Sequence, residues 1–298
     1  MERNIVFKRT NYEIFNWCKF FLFKGDNLII LKIGGSIITD KDSSVAKVDY
    51  DNLNRVCEEI KQSVMEENIH PQLEDGLVLV HGAGSFAHPP ASKYKIGQAF
   101  SEEELPEKRI GFTETLVAGR MLDTCVCEAL WKHDIPAVSL PPSSFITTTN
   151  KRITDCNLDL IKRYLELGFV PVLYGDVVLD TNEKFVVISG DQIIQNLASR
   201  MSFDRVVLGT DVDGVYDKNP KKHSDAKLIE NVHSIEDITQ IESTTNVDVT
   251  GGMVGKVKEL LDLAYSGVSS EIVNANKPGI IAASLQNKKV KGTKISKK

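Results

Sequence analysis

The sequence predicts an α/β protein in which helices cover a mostly parallel central sheet. Strand patterns alternate with helix patterns along almost the whole chain, an order that is typical of this fold class. The chain has 298 residues, of which 42% are hydrophobic, so it is long enough to bury a substantial core. Because it contains neither an internal repeat nor a linker rich in Pro, Gly or Ser, we expect one continuous domain after an amino-terminal extension, residues 1–26.

In the first half of the chain, two short apolar strands are each followed by glycines. Residues 27–33 are rich in β-branched side chains and end at Gly34-Gly35, and the strand at 77–80 ends at a second glycine-rich segment. Between them, apolar residues spaced three and four apart predict a helix that begins at about Asp49. The next elements are predicted at 109–132 (helix), 137–140 (strand) and 155–167 (helix).

In the second half, turn residues and caps separate the predicted elements. Residues 181–184 lie between two apolar runs and predict a β-hairpin. Ser189 followed by Gln192 is a capping box, which predicts the start of a helix. We predict strands at 169–174, 177–180, 185–188, 205–208 and 272–273, and helices at 189–201 and 250–266.

Composition argues against several classes of partner and location. The formal net charge is only −5, so no global basic field is available to hold nucleic acid or an anionic membrane. No apolar run reaches the roughly 18 residues that a membrane span needs. The five cysteines are odd in number and irregularly spaced, which argues against a disulfide framework. We expect a cytoplasmic protein without a dedicated metal site, in which residues 1–26 are poorly ordered.

Two glycine-rich segments at strand ends predict a cradle for phosphate groups. The segment Lys32-Ile33-Gly34-Gly35-Ser36 combines a lysine with glycines that let backbone N–H groups approach a ligand. The segment His81-Gly82-Ala83-Gly84-Ser85 repeats this arrangement and continues to His88-Pro89. Taken singly, each segment is more often only a tight turn. We interpret His81 as a structural residue of the strand end and His88 as a residue that binds a ligand.

Three later segments carry further candidates. Ser189-Gly190-Asp191 begins a helix, where Asp191 either favours the helix dipole or orients nearby lysines. Residues 208–216 combine a strand end, two carboxylates and a glycine turn. Because the other ligand positions of an EF-hand are missing, a nucleotide-facing loop is favoured over a cation site. Residues 248–256 place glycines at a helix start and Lys256 one turn inside it, where it can reach a bound phosphate.

The ordered set of segments resembles the amino acid kinase family and, within it, the archaeal isopentenyl phosphate kinases, across residues 28–296. The matching motifs are Lys32-x-Gly-Gly-Ser, Gly-x-Gly-Ser-Phe-x-His-Pro ending at Pro89, Pro171-Val-Leu-Tyr-Gly-Asp176, Ser189-Gly-Asp191, Gly209-Thr-Asp-Val-Asp-Gly-Val-Tyr216 and Asp248-Val-Thr-Gly-Gly-Met253. Ala87 stands where many relatives have glycine. The resemblance implies the amino acid kinase fold, an open αβα sandwich that is usually a homodimer. It also implies a phosphate-acceptor lobe at 27–168 and an ATP lobe at 169–298.

The resemblance also implies substrates and residue roles. It implies transfer of a phosphoryl group from ATP, which carries Mg²⁺, to isopentenyl phosphate, in a route to isoprenoids. Lys32 and Lys256 would neutralise the phosphoryl group in transit. Asp191 would organise these lysines, and His88 would hold the acceptor phosphate. The other residues implied near the acceptor are Gly82, Ala83, Gly84 and Gly190, and those implied near ATP are Lys32, Gly34, Gly35, Ser36, Lys41, Gly84, Asp211, Gly214, Tyr216, Gly252 and Lys256.

Two other functions stay open at this point. A carboxylate kinase of the same fold, acting on acetylglutamate, glutamate or aspartate, needs arginines near the acceptor loop, and Arg109 and Arg120 lie on the predicted helix 109–132. Apolar residues dominate that helix, however, which favours an apolar substrate tail. A ligand sensor without catalysis is the second alternative, and the presence of all four implied catalytic residues argues against it. The predicted lining of the tail pocket is Phe112, Leu116, Met121, Phe145 and Ile146.

Overall fold

The computed structural model describes residues 27–40, 45–64, 76–220, 222–238 and 251–298. In this part the strands are, in chain order, β1 (Leu28–Ile33), β2 (Gly76–His81), β3 (Ala137–Ser139), β4 (Ile146–Thr149), β5 (Arg152–Cys156), β6 (Val170–Tyr174), β7 (Asp176–Asp180), β8 (Lys184–Ile188), β9 (Arg205–Thr210), β10 (Asn231–Val232), β11 (Ser269–Asn274) and β12 (Gly292–Ile295). The helices are α1 (Gly35–Ile38), α2 (Tyr50–Val64), α3 (Gly84–Lys93), α4 (Leu105–Lys132), α5 (Leu158–Glu166), α6 (Gly190–Arg200), α7 (Gly251–Tyr265) and α8 (Ile280–Leu285).

An eight-stranded sheet runs through the centre of the molecule in the order β10-β12-β11-β9-β1-β2-β6-β3. Its neighbouring strands are parallel except for β11 and β12. A second sheet has the order β5-β4-β7-β8 and is antiparallel apart from the pair β4 and β7. The predicted α/β class with a mostly parallel central sheet is therefore confirmed.

Both faces of the central sheet are covered by helices. On β1, Ile30 belongs to the core cluster that contains side chains of α5, α6 and α7. Its neighbours Ile29 and Leu31 belong to the opposite cluster, with side chains of α2, α4 and α8. A strand that is buried on both faces is a continuous apolar run rather than an alternating one, as the sequence of β1 shows. Each such fully buried aliphatic side chain contributes about 1.5–3 kcal/mol to stability.

Several elements differ in extent from their predictions. Residues 155 and 156 belong to β5, and α5 begins only at Leu158, where the Asn157 side chain caps it by accepting a hydrogen bond from the Leu160 N–H. The glycine-rich segment predicted as a loop continues into α3, which contains Pro89 and Pro90. Because proline is normally excluded from helix interiors, a helix was not predicted for this segment. The elements that the sequence did not predict are α1, α3, α8, β4, β5, β10 and β12.

The sheet is continuous across the predicted lobe division at Phe169. The strand β6, which follows that point, pairs with β2 and β3 from the first half of the chain. The extents of the two lobes stay a prediction, and residues 1–26 lie outside the described part. Among the described residues, no helix is both long enough and apolar enough to cross a membrane.

Candidate active site

A cavity of about 630 Å³ lies where the carboxyl ends of β1, β2, β6 and β9 meet. Each of these strands contributes to its lining at or just beyond the strand end, through Gly34, Gly82, Gly175 and Thr210 respectively. Ligands of open parallel sheets bind at this edge because the loops there converge. The topology therefore gathers segments that are far apart in the sequence around one cavity.

The two predicted glycine loops touch each other backbone to backbone. A Cβ atom added to Gly35 would lie 2.3 Å from the Gly84 nitrogen, and one added to Gly82 would lie 2.4 Å from the Gly35 nitrogen. Gly84 also has φ of +51°, in the left-handed region that side chains disfavour. Because no side chain fits between them, both loops can present backbone N–H groups to the same phosphate chain.

Two lysines share one carboxylate at the base of the cavity. The Lys32 Nζ donates to Asp191 Oδ1, and the Lys256 Nζ lies 3.3 Å from Asp191 Oδ2. Lys32 is the last but one residue of β1, Asp191 lies in the first turn of α6, and Lys256 lies on α7. Three elements of different sequence position therefore meet in one ion-pair cluster.

Burial sets the protonation of this cluster. It lowers the pKa of the Lys32 ammonium, and the nearby Lys256 lowers it further, while Asp191 opposes the shift. Burial alone would raise the pKa of the Asp191 carboxyl, but the two lysines outweigh it and hold that pKa below its usual range. The carboxylate thus stays ionised and fixes the direction of both ammonium groups.

The start of α6 forms half of the predicted capping box, because the Gln192 side chain donates to the Lys151 carbonyl oxygen instead of returning to the Ser189 N–H. The Ser189 side chain accepts a hydrogen bond from the Gln192 N–H at 3.1 Å, so this orphan donor is satisfied. At Gly190 a Cβ atom would approach the Lys32 Cε to 3.4 Å, which is close but not forbidden. The cap leaves Asp191 to face the lysines rather than to close the helix.

The two histidines of the second glycine loop have different environments. His88 lies in α3, is exposed and lines the cavity. His81 is 1% exposed, and its ring nitrogens lie 3.2 Å from Asp123 Oδ1 and 3.0 Å from the Gly82 carbonyl oxygen. Ser139 donates to the other oxygen of Asp123. His81 is therefore a residue of the interior, as interpreted from the sequence, and it holds the carbonyl next to the glycine loop.

On the side predicted to face the nucleotide, Asp211 lines the cavity and Asp213 holds the loop after β9 in place. The Asp213 carboxylate lies 2.6 Å from the Lys277 Nζ and 2.8 Å from the Lys291 Nζ, and it accepts a hydrogen bond from the Tyr216 hydroxyl at 3.2 Å. Burial opposes ionisation of Asp213, but the hydrogen bonds from both lysines hold its pKa well below the usual range. The loop after β9 is thus fixed before any nucleotide binds.

Most of the residues predicted for the site meet in this cavity. Gly214 and Tyr216 do not line it; Gly214 packs instead against Thr293. Lys41 lies outside the described residues, as do residues 248–250, and Gly252 is described only as part of the first turn of α7. The predicted residues that line the cavity are Lys32, Gly34, Gly35, Ser36, Gly82, Ala83, Gly84, His88, Gly190, Asp191, Asp211 and Lys256.

The five residues predicted for the tail pocket do not line the cavity. Phe112 and Leu116 pack one layer further out, where the Phe112 ring lies 5.1 Å from that of Phe185. Met121 is 58% exposed on the outer face of α4, because that face points away from the sheet. Phe145 and Ile146 pack into the core cluster with α5 and α6. The apolar part of the lining consists instead of Ala87, Ala91, Val177, Val187 and Ile188, next to the buried Thr115.

Three further lining residues were missed by sequence reasoning. The buried hydroxyl of Thr39 lies between the two glycine loops. Asp176 is a buried carboxylate that accepts hydrogen bonds from the Val177 and Ser143 N–H groups, and burial raises its pKa. Met253 lies at the start of α7. Asp176 and Met253 stood in segments already singled out, whereas nothing in the pattern around Thr39 marked it. Within the described ranges, no group of three or more His, Cys, Asp or Glu side chains is placed to hold a metal ion.

Comparison with known proteins agrees with the fold. The model of the amino acid kinase family matches residues 27–274. The isopentenyl phosphate kinase of Methanothermobacter thermautotrophicus is 50% identical over 274 residues, which cover 91% of this chain and 100% of the relative. That of Methanocaldococcus jannaschii is 37% identical over 270 residues, covering 90% and 98%. A crystal structure of an isopentenyl phosphate kinase superposes with a TM-score of 0.80 at 46% identity, over 91% of this chain and all of the other. The chain therefore belongs to the amino acid kinase family.

Proposed function

We propose that the protein transfers the γ-phosphoryl group of ATP to the phosphate of isopentenyl phosphate and so forms isopentenyl diphosphate. The observation that carries this proposal is the pair of lysines, Lys32 and Lys256, held by one largely buried carboxylate in a cavity with an apolar end. Relatives of 50% and 37% identity over nearly their whole length bear the name of this activity.

Phosphoryl transfer needs positioned positive charge more than covalent help. Its transition state is loose and spreads negative charge over the oxygens of the transferred group. The ammonium groups of the buried Lys32 and the partly exposed Lys256 would stabilise that charge, and Asp191 keeps them aimed because it contacts both. Backbone N–H groups of the two glycine loops would bind the neighbouring phosphate oxygens.

The acceptor does not require a general base. A phosphate monoester has a second pKa near ~6 and is already a dianion at neutral pH, so its oxygen is a nucleophile without further deprotonation. The chain must instead hold two phosphates that repel each other. His88 lies on the cavity wall beyond the glycine loop and would donate a hydrogen bond to the acceptor phosphate.

ATP would occupy the side of the cavity formed by α7 and the loop after β9. Asp211, Met253 and Lys256 line that side. Magnesium would arrive bound to the phosphates of the nucleotide, since this ion keeps several waters and commonly binds through substrate phosphates. We also infer a cytoplasmic location from the cysteine content.

The carboxylate-kinase alternative receives less support from the lining. Glutamate 5-kinases, such as that of Methanosarcina barkeri, are related at 27% identity over 89% of this chain. A buried amino acid carboxylate needs a cationic partner. Arg109 and Arg120 do not line the cavity, and Ala91, Val177 and Val187 do. An uncharged alkenyl tail is the group that suits such a wall.

We infer a homodimer that is formed through the outer face of α4. Four large apolar side chains are exposed on one stripe of this helix: Ile110 (62%), Val117 (48%), Met121 (58%) and Trp131 (46%). Exposed apolar side chains that cluster on one face of a helix mark an interaction site. A second copy of the chain would cover it by self-complementary packing around a two-fold axis.

A substrate panel tests the proposed function directly. The purified full-length protein is incubated with ATP and Mg²⁺ and with isopentenyl phosphate, glutamate, acetylglutamate or aspartate, and ADP release is followed by a coupled assay. We expect turnover only with isopentenyl phosphate, and phosphorus NMR should identify a diphosphate product. Turnover of an amino acid without turnover of isopentenyl phosphate would reverse the assignment, and silence with all four would favour a sensor.

A further inference from the structure

One buried hydroxyl connects the two glycine loops. Thr39 is 2% exposed and follows the last residue of α1. Its Oγ1 donates to the Gly35 carbonyl oxygen at 2.7 Å and accepts a hydrogen bond from the Ser85 N–H at 3.1 Å. Gly35 belongs to the glycine segment between β1 and α1, of which it is the first helical residue, and Ser85 to the glycine segment after β2, in the first turn of α3.

The Thr39 hydroxyl forms a hydrogen bond with each of the two loops. A threonine hydroxyl has one hydrogen to donate and two lone pairs that accept. The hydrogen is used by the first loop and a lone pair by the second. The Ser85 N–H lies in the first turn of α3, where no intrahelical partner exists, so Thr39 satisfies an otherwise orphaned donor.

The position of Thr39 is itself fixed. Its N–H donates to the Gly35 carbonyl oxygen at 3.0 Å, and it forms an antiparallel bridge with Val48. A Cβ atom on Gly84 would lie 2.4 Å from the Thr39 Oγ1 and 2.6 Å from its Cγ2, so the side chain fills the space that the glycine leaves. A β-branched residue has few χ1 rotamers, which keeps the hydroxyl in this orientation.

We propose that Thr39 is a positioning residue that sets the spacing between the loop that binds the ATP phosphates and the loop that binds the acceptor phosphate. This inference rests on the proposed function, because only a transfer between two phosphates makes the spacing of these loops important. Each loop keeps its own N–H groups without Thr39, so each substrate can still bind. The hydroxyl adds the alignment of the two bound substrates for in-line transfer. Small misplacements of reacting groups lower the rate by large factors.

The test compares Thr39→Val, which removes the hydroxyl at nearly constant shape, with Thr39→Ser, which retains it. We expect Thr39→Val to lower kcat by ~10–100-fold. The KM values for both substrates should stay within about threefold, because the ground-state contacts remain. Thr39→Ser should stay within about threefold of the wild-type kcat. Rates are normalised to the folded fraction, and Thr39→Ala replaces the valine variant if that variant does not fold.

A second measurement does not depend on turnover. Amide hydrogen exchange of Ser85 is followed in the ligand-free protein, where loss of the bridge should speed exchange in Thr39→Val by ~10-fold or more and leave Thr39→Ser unchanged. Wild-type kcat in Thr39→Val, or equal loss in both variants, would overturn the positioning role. If the wild type does not phosphorylate isopentenyl phosphate while Ser85 exchange responds as expected, the proposed function has failed and the bridge stands.

Discussion

The two ends of the cavity are built in different ways. At the end proposed to bind phosphate, which we call the phosphate end, contacts between named atoms fix the main groups: Asp191 holds Lys32 and Lys256, and Thr39 joins the glycine loops. At the end proposed to bind the substrate tail, which we call the tail end, apolar side chains from α3 and the hairpin β7–β8 form the wall. Charged groups stabilise a transition state only when they are placed accurately, so small displacements cost much of the effect. The contribution of an apolar wall instead changes gradually with the area that it buries. Changes at the phosphate end should therefore stop the reaction, and changes at the tail end should only alter preference.

The largest effect is expected from Asp191→Ala. Without the carboxylate the two lysines repel each other and lose their direction, so kcat should fall by ~10²–10³-fold while the protein remains folded. Steady-state kinetics and circular dichroism check this. Asp159→Ala is the matched control, since Asp159 is also an acidic residue in the first turn of a helix, α5, and lies away from the cavity. Equal loss in both variants, or an unfolded Asp191→Ala, would reduce Asp191 to a helix-dipole residue.

His88→Ala tests the acceptor side of the phosphate end. The loss of a hydrogen bond to a charged phosphate, worth up to about 3 kcal/mol, should lower kcat/KM for isopentenyl phosphate by ~10²-fold. The Kd for ATP, measured by calorimetry, should change little. His133→Ala serves as a control, because His133 caps the far end of α4 and does not line the cavity. Undiminished turnover in His88→Ala would end the proposed role.

At the tail end, Val187→Ala should change substrate preference rather than abolish activity. The removal of about two methylene equivalents, at ~0.8 kcal/mol each, should lower kcat/KM for isopentenyl phosphate by ~10-fold. Relative activity on a ten-carbon prenyl phosphate should rise because the cavity lengthens. Met121→Ala is the control, since Met121 is exposed on α4. Competition assays with both phosphates measure the ratio, and an unchanged ratio in Val187→Ala would place the tail elsewhere.

Asp213→Asn tests whether the nucleotide side is fixed electrostatically before ATP binds. The folded-state pKa of Asp213 lies below its unfolded value, so the ionised group stabilises the fold above the unfolded value of about 3.9 and loses this effect as pH falls through the folded pKa. Because both lysine partners are half exposed, we expect only about 1 kcal/mol of destabilisation. Urea unfolding should show a constant difference between pH 7 and pH 5 that shrinks below about pH 4. A difference that grows on acidification would contradict this assignment.

The smallest effect on catalysis is expected from Val117→Glu, far from both ends of the cavity. A charge in the exposed stripe of α4 should dissociate the inferred dimer, because burying an unpaired carboxylate is costly. Light scattering after gel filtration measures the mass, and kcat should change by less than about threefold. Arg109→Glu, which changes the charge of another exposed residue of α4, is the control. A wild-type protein that is already monomeric would refute the dimer.

The phosphate end could be predicted because its residues stand where backbone rules act. Glycines at strand ends combined with polar residues at helix starts are typical of a ligand site. Parallel strands bring their carboxyl ends to one edge of the sheet, where such segments meet. Lys32, Asp191 and Lys256 were thus expected at one site, and they do meet although they lie far apart in the sequence. Thr39 escaped notice, because a threonine after an apolar run has no distinguishing pattern and its role depends on a neighbouring loop.

The tail end could not be predicted from pattern in the same way. The hairpin β7–β8 was expected, but its placement against α3 depends on how the second sheet packs on the first. The helix α4 was correctly expected to be long, yet periodicity alone did not tell which face meets the cavity and which meets solvent. Met121 therefore lies on the outer face, and Thr115 on the inner one.

The place of β1 in the sheet has a consequence for the synthesis of the chain. β1 lies between β2 and β9, and β9 begins only at Arg205. While the ribosome makes the intervening residues, one edge of this apolar strand has no native neighbour. Unpaired strand edges on incomplete chains are templates for pairing with other molecules. Nascent chains that stop before β9 should accordingly depend on chaperones, and the finished protein should become resistant to aggregation only after most of its length has emerged.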